Sequence, residues 1–209
     1  MSNLVIAIDG PAGSGKSTIA RALADSLGWS FLDTGAMYRA VTREALDQGV
    51  DVADEDALAS LAHDAVITTV PRVSVNGRDV HDQIRGIDVN EAVSVVAANA
   101  RVRAEMVQRQ RAFAAALPVG TVVEGRDITT VVFPKASVKI YLTATLEERS
   151  RRRGDESEAS VARRDVVDST REASPLRQAS DALALDTTGR SVAEIVEEIT
   201  QCLKQRTSS

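Results

Sequence analysis

The stretch IDGPAGSGKST, Ile8 to Thr18, places four residues between Gly10 and the run Gly15, Lys16, Ser17. It grows out of LVIAID (Leu4–Asp9), a continuous apolar run of the kind that forms a strand buried on both faces of a parallel sheet. Lys16 to Leu27 then reads as a helix. Buried strand, glycine loop and helix, in that order, make a phosphate loop. The segment Gly10, Pro11, Ala12, Gly13, Ser14, Gly15, Lys16, Ser17 and Thr18 is therefore the candidate site for a nucleoside triphosphate such as ATP. Glycines let backbone N–H groups turn toward a polyphosphate, and the start of the helix adds its positive end. Lys16 reaches the β and γ phosphates, and the Ser17 hydroxyl can ligate magnesium.

Downstream, strands and helices alternate, which implies a parallel α/β sheet. FLD (Phe31–Asp33) is a short strand, and GAMYRAVTREALDQG reads as a helix closed by Gly49. Asp54 opens another helix. The pair Asn76-Gly77 between β-branched residues predicts a type I′ hairpin, so a small antiparallel piece interrupts the alternation. Residues from Asp88 to Leu117 read as two helical segments. TVVEG (Thr121–Gly125), VKIYLTA (Val138–Ala144) and ALALD (Ala182–Asp186) are further strands. Thr145/Glu148 and Ser191/Glu194 have capping-box spacing, and the last helix lines up Val192, Ile195, Val196, Ile199 and Leu203 on one face.

The chain has 209 residues, 44% hydrophobic and 26% charged, an ordinary composition for a globular domain. Its N-terminal apolar run is too short for a membrane span or a signal peptide core, which predicts a cytoplasmic protein with no membrane partner. The single cysteine, Cys202, excludes an internal disulfide and reads as a small apolar helix residue. A net charge of −5 argues against a nucleic-acid binder. Without an exposed apolar stripe the expectation is a monomer. Arginine outnumbers lysine 21 to 4, and planar guanidinium groups suit phosphates where position supports that reading.

Position supports it at two strand ends. In DTGAMYR (Asp33–Arg39), Thr34 sits at the strand-to-helix turn, with Tyr38 and Arg39 one turn on. In EGRD (Glu124–Asp127), Arg126 and Asp127 follow a buried strand. Either arginine alone could be a solvated surface residue; together they favour an anion site where open α/β sheets bind ligands. The absence of an NKxD-type guanine-reading motif speaks against a GTPase.

The segments IDGPAGSGKST, FLDTGAMYR, VRAEMVQRQRAF, VVEGRDITTVVFP, VKIYLTA and RRDVVDSTR follow one another as in bacterial cytidylate (CMP) kinases, and the resemblance runs from Val5 to about Thr188. It implies an α/β fold: a parallel-sheet P-loop kinase core flanked by helices, with a small antiparallel and helical monophosphate-binding insertion near 50–98 and a mobile lid near 149–173, in one domain spanning 1–209. It also implies transfer of the γ-phosphoryl group of ATP, with magnesium, to CMP or dCMP. By that resemblance Arg39, Arg126 and Arg171 meet the CMP phosphate. Ser94, Arg103 and Asp127 meet cytosine, Arg164 and Asp168 meet the ribose, and Thr34 and Tyr38 wall the pocket. Ser94 also has a plain reading as a helix-face serine.

The chemistry of the base fits independently. Cytosine offers a donor at N4 and acceptors at N3 and O2, which match a carboxylate such as Asp127 and an arginine. The two histidines, His63 and His81, lie beside no motif. A phosphate acceptor needs no general base, because its oxygen is already ionised. Eight arginines lie between Arg149 and Arg177. They read either as a solvated, ion-paired face or as a lid, with Arg149, Arg153, Arg164 and Arg171 as contributors and Arg149 and Arg153 on one helix face at i, i+4 spacing. Where this family usually has glycine after EGRD and one hydrophobic residue, the chain has Thr129; a β-branched residue there predicts either a shifted loop or a dispensable glycine. Two rival readings remain at this stage: a kinase for another small acceptor (UMP, AMP or a hydroxylated metabolite, with Asp33 as base) and a non-catalytic ATP sensor.

Overall fold

A computed structural model describes residues 4–154, 157–170 and 174–207. In chain order the elements are β1 (Val5–Asp9), α1 (Lys16–Leu27), β2 (Ser30–Asp33), α2 (Thr34–Asp47), α3 (Glu55–Asp64), β3 (Ile67–Thr68), β4 (Ser74–Val75), β5 (Arg78–Asp79), α4 (Ile87–Ala98), α5 (Ala100–Ala116), β6 (Thr121–Gly125), β7 (Val138–Thr143), α6 (Leu146–Arg152), α7 (Glu158–Thr170), β8 (Leu183–Asp186) and α8 (Val192–Thr207). A short 3-10 turn precedes α4 at Gln83–Arg85, and a π turn follows β6 at Ile128–Val132.

A five-stranded sheet has the order β2-β6-β1-β7-β8. The strand β1 pairs in parallel with β6 and β7, so Asp9 stands level with Gly125 on one side and Tyr141 on the other. All five residues of β1 are buried, as the unbroken apolar run requires. This is the parallel-sheet P-loop kinase core of the sequence reading.

The chain divides into two compact units, residues 1–31 with 113–209, and residues 32–112. The first has an apolar cluster as its core among the described residues. Ile6, Ile8, Val122, Ile140 and Leu142 of the sheet meet Ile19 and Leu23 of α1 and Ile195, Ile199 and Leu203 of α8. Val192, grouped with that α8 face in sequence, is instead exposed in the first turn. The Ser191/Glu194 box is complete: the Glu194 N–H donates to Ser191 Oγ at 3.3 Å, and the Ser191 N–H donates to Glu194 Oε2 at 2.8 Å. The Thr145/Glu148 box is half made. Thr145 Oγ1 accepts from the Glu148 N–H, but the Thr145 N–H goes to Thr188 Oγ1 and the Glu148 carboxylate takes Arg151 and Arg152.

The second unit has its own core of Ala36, Ala40, Val73, Val75, Val80 and Ile84. Its three short strands pair antiparallel in the order β3-β4-β5. Asn76 at φ 51° and Gly77 at φ 79° make the turn of the β4–β5 hairpin, the positive pair that a type I′ turn needs. Glu44 of α2 pins that turn by accepting from Asn76 Nδ2 at 2.9 Å and from Arg78 Nη2 at 2.7 Å.

Candidate active site

The phosphate loop leaves β1 at Gly10. A Cβ there would lie 2.2 Å from the Leu142 carbonyl oxygen, and one on Gly13, at φ 77°, would lie 2.6 Å from that of Arg149. Only glycine permits both the turn and this approach. Lys16 opens α1 and is buried, with Nζ donating to the Pro11 carbonyl at 2.9 Å, so its ammonium folds back across the loop. Burial, and after it the Arg126 guanidinium, push its pKa down to about 7, while Glu124, Asp9 and Asp168 act the other way. The Ser17 hydroxyl donates to Glu124 Oε1 at 2.6 Å. Glu124 is itself buried at the end of β6. A hydroxyl and a carboxylate side by side are the hard oxygen donors that magnesium takes, and an ion carried in on ATP needs only one or two of them from protein. Among the described residues no cluster of three or more His, Cys, Asp or Glu could hold a metal alone.

Arg126 and Asp127 follow β6 directly. Arg126 Nη1 donates to the Gly10 carbonyl at 2.5 Å, and its Nε lies 2.9 Å from Asp168 Oδ2 on α7. The structure therefore brings together Arg126 and Asp168, named separately from sequence, at the rim of the phosphate loop. Asp127 is buried and its carbonyl accepts from Val131 and Val132 in the π turn. Arg149, on α6, is almost fully buried. Its Nη1 donates to the Ala12 carbonyl at 3.2 Å and pairs with Asp165 Oδ2 at 2.6 Å. The helix ends at Arg152, so Arg153 is the capping residue beyond it and not a partner of Arg149 on one helix face, as its spacing had implied. Arg164 lies within α7, and Arg171 lies outside the described residues.

In the unit of residues 32–112, Asp33 caps α2 by accepting from the Ala36 N–H at 2.9 Å, which sets Thr34 in the first turn, buried. Arg39 Nη1 donates to the Ile84 carbonyl at 3.0 Å and to Asn90 Oδ1 at 2.7 Å. The Arg103 guanidinium of α5 lies 5.6 Å from the centroid of the Tyr38 ring, a cation–π approach. Ser94 is half-buried on α4. Neither histidine joins these groups. His63 is exposed beside Glu105 at 3.2 Å, and His81 Nδ1 accepts from the Val73 N–H at 3.3 Å.

Sequence reading passed over several residues that the fold puts at the loop. Asp9 is buried at the end of β1, and its carboxylate accepts from the Ile128 N–H at 2.8 Å, the Thr129 N–H at 2.7 Å and the Thr129 hydroxyl at 2.6 Å. Burial raises its pKa and the Thr129 hydrogen bonds oppose that rise. Thr129 does not have positive φ; it sits in the π turn, where the backbone does not require a glycine's conformational freedom. Arg152 donates from Nη1 to Thr187 Oγ1 and from Nη2 to the Thr187 carbonyl, both at 2.8 Å, and Thr187 Oγ1 donates in turn to the Ser14 carbonyl at 3.1 Å. A charged residue closing an otherwise apolar strand, as in VVEG and VIAID, was the signal for Glu124 and Asp9.

Solved structures support the fold. A Thermus thermophilus protein superposes with a TM-score of 0.55 at 22% identity over 98% of both chains. The shikimate kinase of Acinetobacter baumannii superposes with a TM-score of 0.51 at 14% identity, over 98% of this chain and 94% of its own. The cytidylate kinase of Geobacillus kaustophilus is 50% identical over 96% of each chain, and that of Bacillus subtilis 44% identical over 97% of each. The cytidylate kinase family model matches residues 6–205. The phosphate loop, the Arg126–Asp127 strand end and this likeness along nearly the whole length agree: the chain belongs to the cytidylate kinase family.

Proposed function

We infer that the protein transfers the γ-phosphoryl group of ATP to CMP or dCMP, forming ADP and CDP or dCDP. The observation that carries this reading is the phosphate loop with Arg126 on its Gly10 carbonyl and Asp127 beside it, in a chain of this family.

ATP lies along the phosphate loop, with backbone N–H groups and Lys16 on its β and γ phosphates. Ser17 would hold the magnesium that arrives with ATP, with Glu124 behind the hydroxyl, and the ion would supply charge neutralisation. Arg149 and Arg153 bear on the ATP side from the segment 149–173, which acts as the lid and excludes water that would otherwise accept the phosphoryl group. Arg39, Arg126 and Arg171 hold the phosphate of CMP, and Arg164 and Asp168 its sugar. Ser94, Arg103 and Asp127 read cytosine, with Thr34 and Tyr38 as wall. Residues 50–98 serve as the monophosphate-binding insertion. The attacking atom is a phosphate oxygen of CMP, already ionised, so no side chain has to remove a proton; positioning and charge neutralisation lower the barrier. The placement of both histidines away from these residues suits that chemistry. The protein works as a cytoplasmic monomer on small molecules, without nucleic acid or membrane. No helix among the described residues is long and apolar enough to cross a membrane.

Incubation with ATP, magnesium and each nucleoside monophosphate in turn tests the reading. ADP and a diphosphate formed with CMP and dCMP support it. ADP formed with only another acceptor, ADP formed with none, or no turnover at all overturns it.

A further inference from the structure

The segment that starts with Arg126 and Asp127 is tied to β1 through one carboxylate. Asp9 accepts three hydrogen bonds, from the N–H groups of Ile128 and Thr129 and from the Thr129 hydroxyl, the last the shortest at 2.6 Å. Both residues are buried, Asp9 at 0% exposure and Thr129 at 1%, so neither end of this bond has water as an alternative. The two ends of the tie differ in stiffness. Asp9 stands in the ladder between Gly125 and Tyr141 and is held from both sides. Residues 126–132 leave the sheet, with a π turn at Ile128–Val132 in which the Asp127 carbonyl receives the Val132 N–H at 3.2 Å and the Ile128 carbonyl the Phe133 N–H at 2.7 Å. If the tie weakens, the segment yields and the strand does not.

We propose that Thr129 is a positioning residue for the acceptor: its hydroxyl fixes the turn of residues 126–132 against Asp9 and thereby sets where Asp127 and Arg126 meet the nucleoside monophosphate. A glycine at 129 would keep both N–H donors and lose the third bond. A valine would keep the shape and leave a buried carboxylate lone pair unmet. The hydroxyl acts more on the acceptor side than on the phosphate loop: that loop hangs from β1, whose pairing does not involve Thr129, and the segment reaches it through Arg126 Nη1 on the Gly10 carbonyl.

The inference rests on the CMP kinase reading and is tested by Thr129→Val, Thr129→Gly and Thr129→Ser. Thr129→Val and Thr129→Gly raise the KM for CMP by roughly tenfold and raise the KM for ATP far less, while Thr129→Ser restores the wild-type value. Equal rises in both KM values, an unchanged CMP KM in Thr129→Gly, or no rescue by serine overturns the proposal; if Thr129→Val does not fold, Thr129→Gly decides. A wild-type protein that leaves CMP untouched defeats the function reading instead. Amide exchange then judges the tie alone: faster exchange at Ile128 and Val131 in Thr129→Gly, with β1 unchanged, upholds it, and no difference overturns it.

Discussion

The Ser17 hydroxyl and the Glu124 carboxylate, 107 residues apart in the chain, meet at 2.6 Å where the start of α1 faces the end of β6. Glu124 therefore fixes the rotamer of the hydroxyl proposed to hold ATP-bound magnesium. Glu124→Gln keeps an acceptor for Ser17 but removes the charge. It should lower kcat on the order of a hundredfold and raise the magnesium concentration needed for half-maximal rate. A magnesium titration of the initial rate checks this; an unchanged half-saturation point contradicts the assignment.

Lys16 gives a pH prediction with a defined sign. Burial and Arg126 hold its pKa near 7 in the ligand-free protein, against the ordinary 10.5, so at pH 8 the group is largely neutral. The phosphates of ATP favour the charged form. ATP binding at pH 8 should then take up a proton, and at pH 6, where Lys16 already carries one, the uptake from this group should vanish. Calorimetry in two buffers of different ionisation enthalpy reads the difference. Lys16→Met should abolish the uptake at pH 8.

Asp127 is the group proposed to accept from the cytosine amino group. Asp127→Asn presents a donor as readily as an acceptor, so the penalty against uracil's O4 should shrink. The ratio of kcat/KM for CMP over UMP should fall by roughly tenfold to a hundredfold. Parallel assays with the two monophosphates measure it, and a ratio that stays constant would remove Asp127 from base reading.

Gly120 is a packing constraint unconnected with chemistry. A Cβ at this position would come within 2.4 Å of the Trp29 ring, just before β6 begins. Gly120→Ala should destabilise the fold by about 1–3 kcal/mol, seen as a lower thermal midpoint, with the KM for ATP unaffected in the surviving folded protein.

Much of this architecture is legible in the sequence because its signals are local. An unbroken apolar run means a doubly buried strand, and VIAID is fully buried as β1. Asn76-Gly77 needs no distant partner to specify its turn. What sequence reading misses depends on pairings over long separations. Thr129 reads as a β-branched misfit in a glycine's place until Asp9, 120 residues earlier, is seen accepting its hydroxyl. The run Arg151, Arg152, Arg153 offers three equivalent side chains. Only the end of α6 and the position of Thr187 show that Arg152 braces the loop through Ser14, while Arg151 pairs with Glu148 at the exposed surface. The Thr145/Glu148 spacing is that of a reciprocal cap, but Glu148 has arginines within reach, and a charged donor outcompetes a backbone N–H.

The division of the chain also orders events at the ribosome. Residues 32–112 form one uninterrupted unit with an apolar core of its own. The other unit is split, and Val5 of β1 waits for Thr121 of β6 and Ile6 for Val138 of β7 before the central strand has a neighbour on either side. Because β1 precedes both partners in the chain, it is among the last strands of the sheet to be secured, with an apolar strand exposed in the interval, and it is at that stage that a chaperone has most to protect.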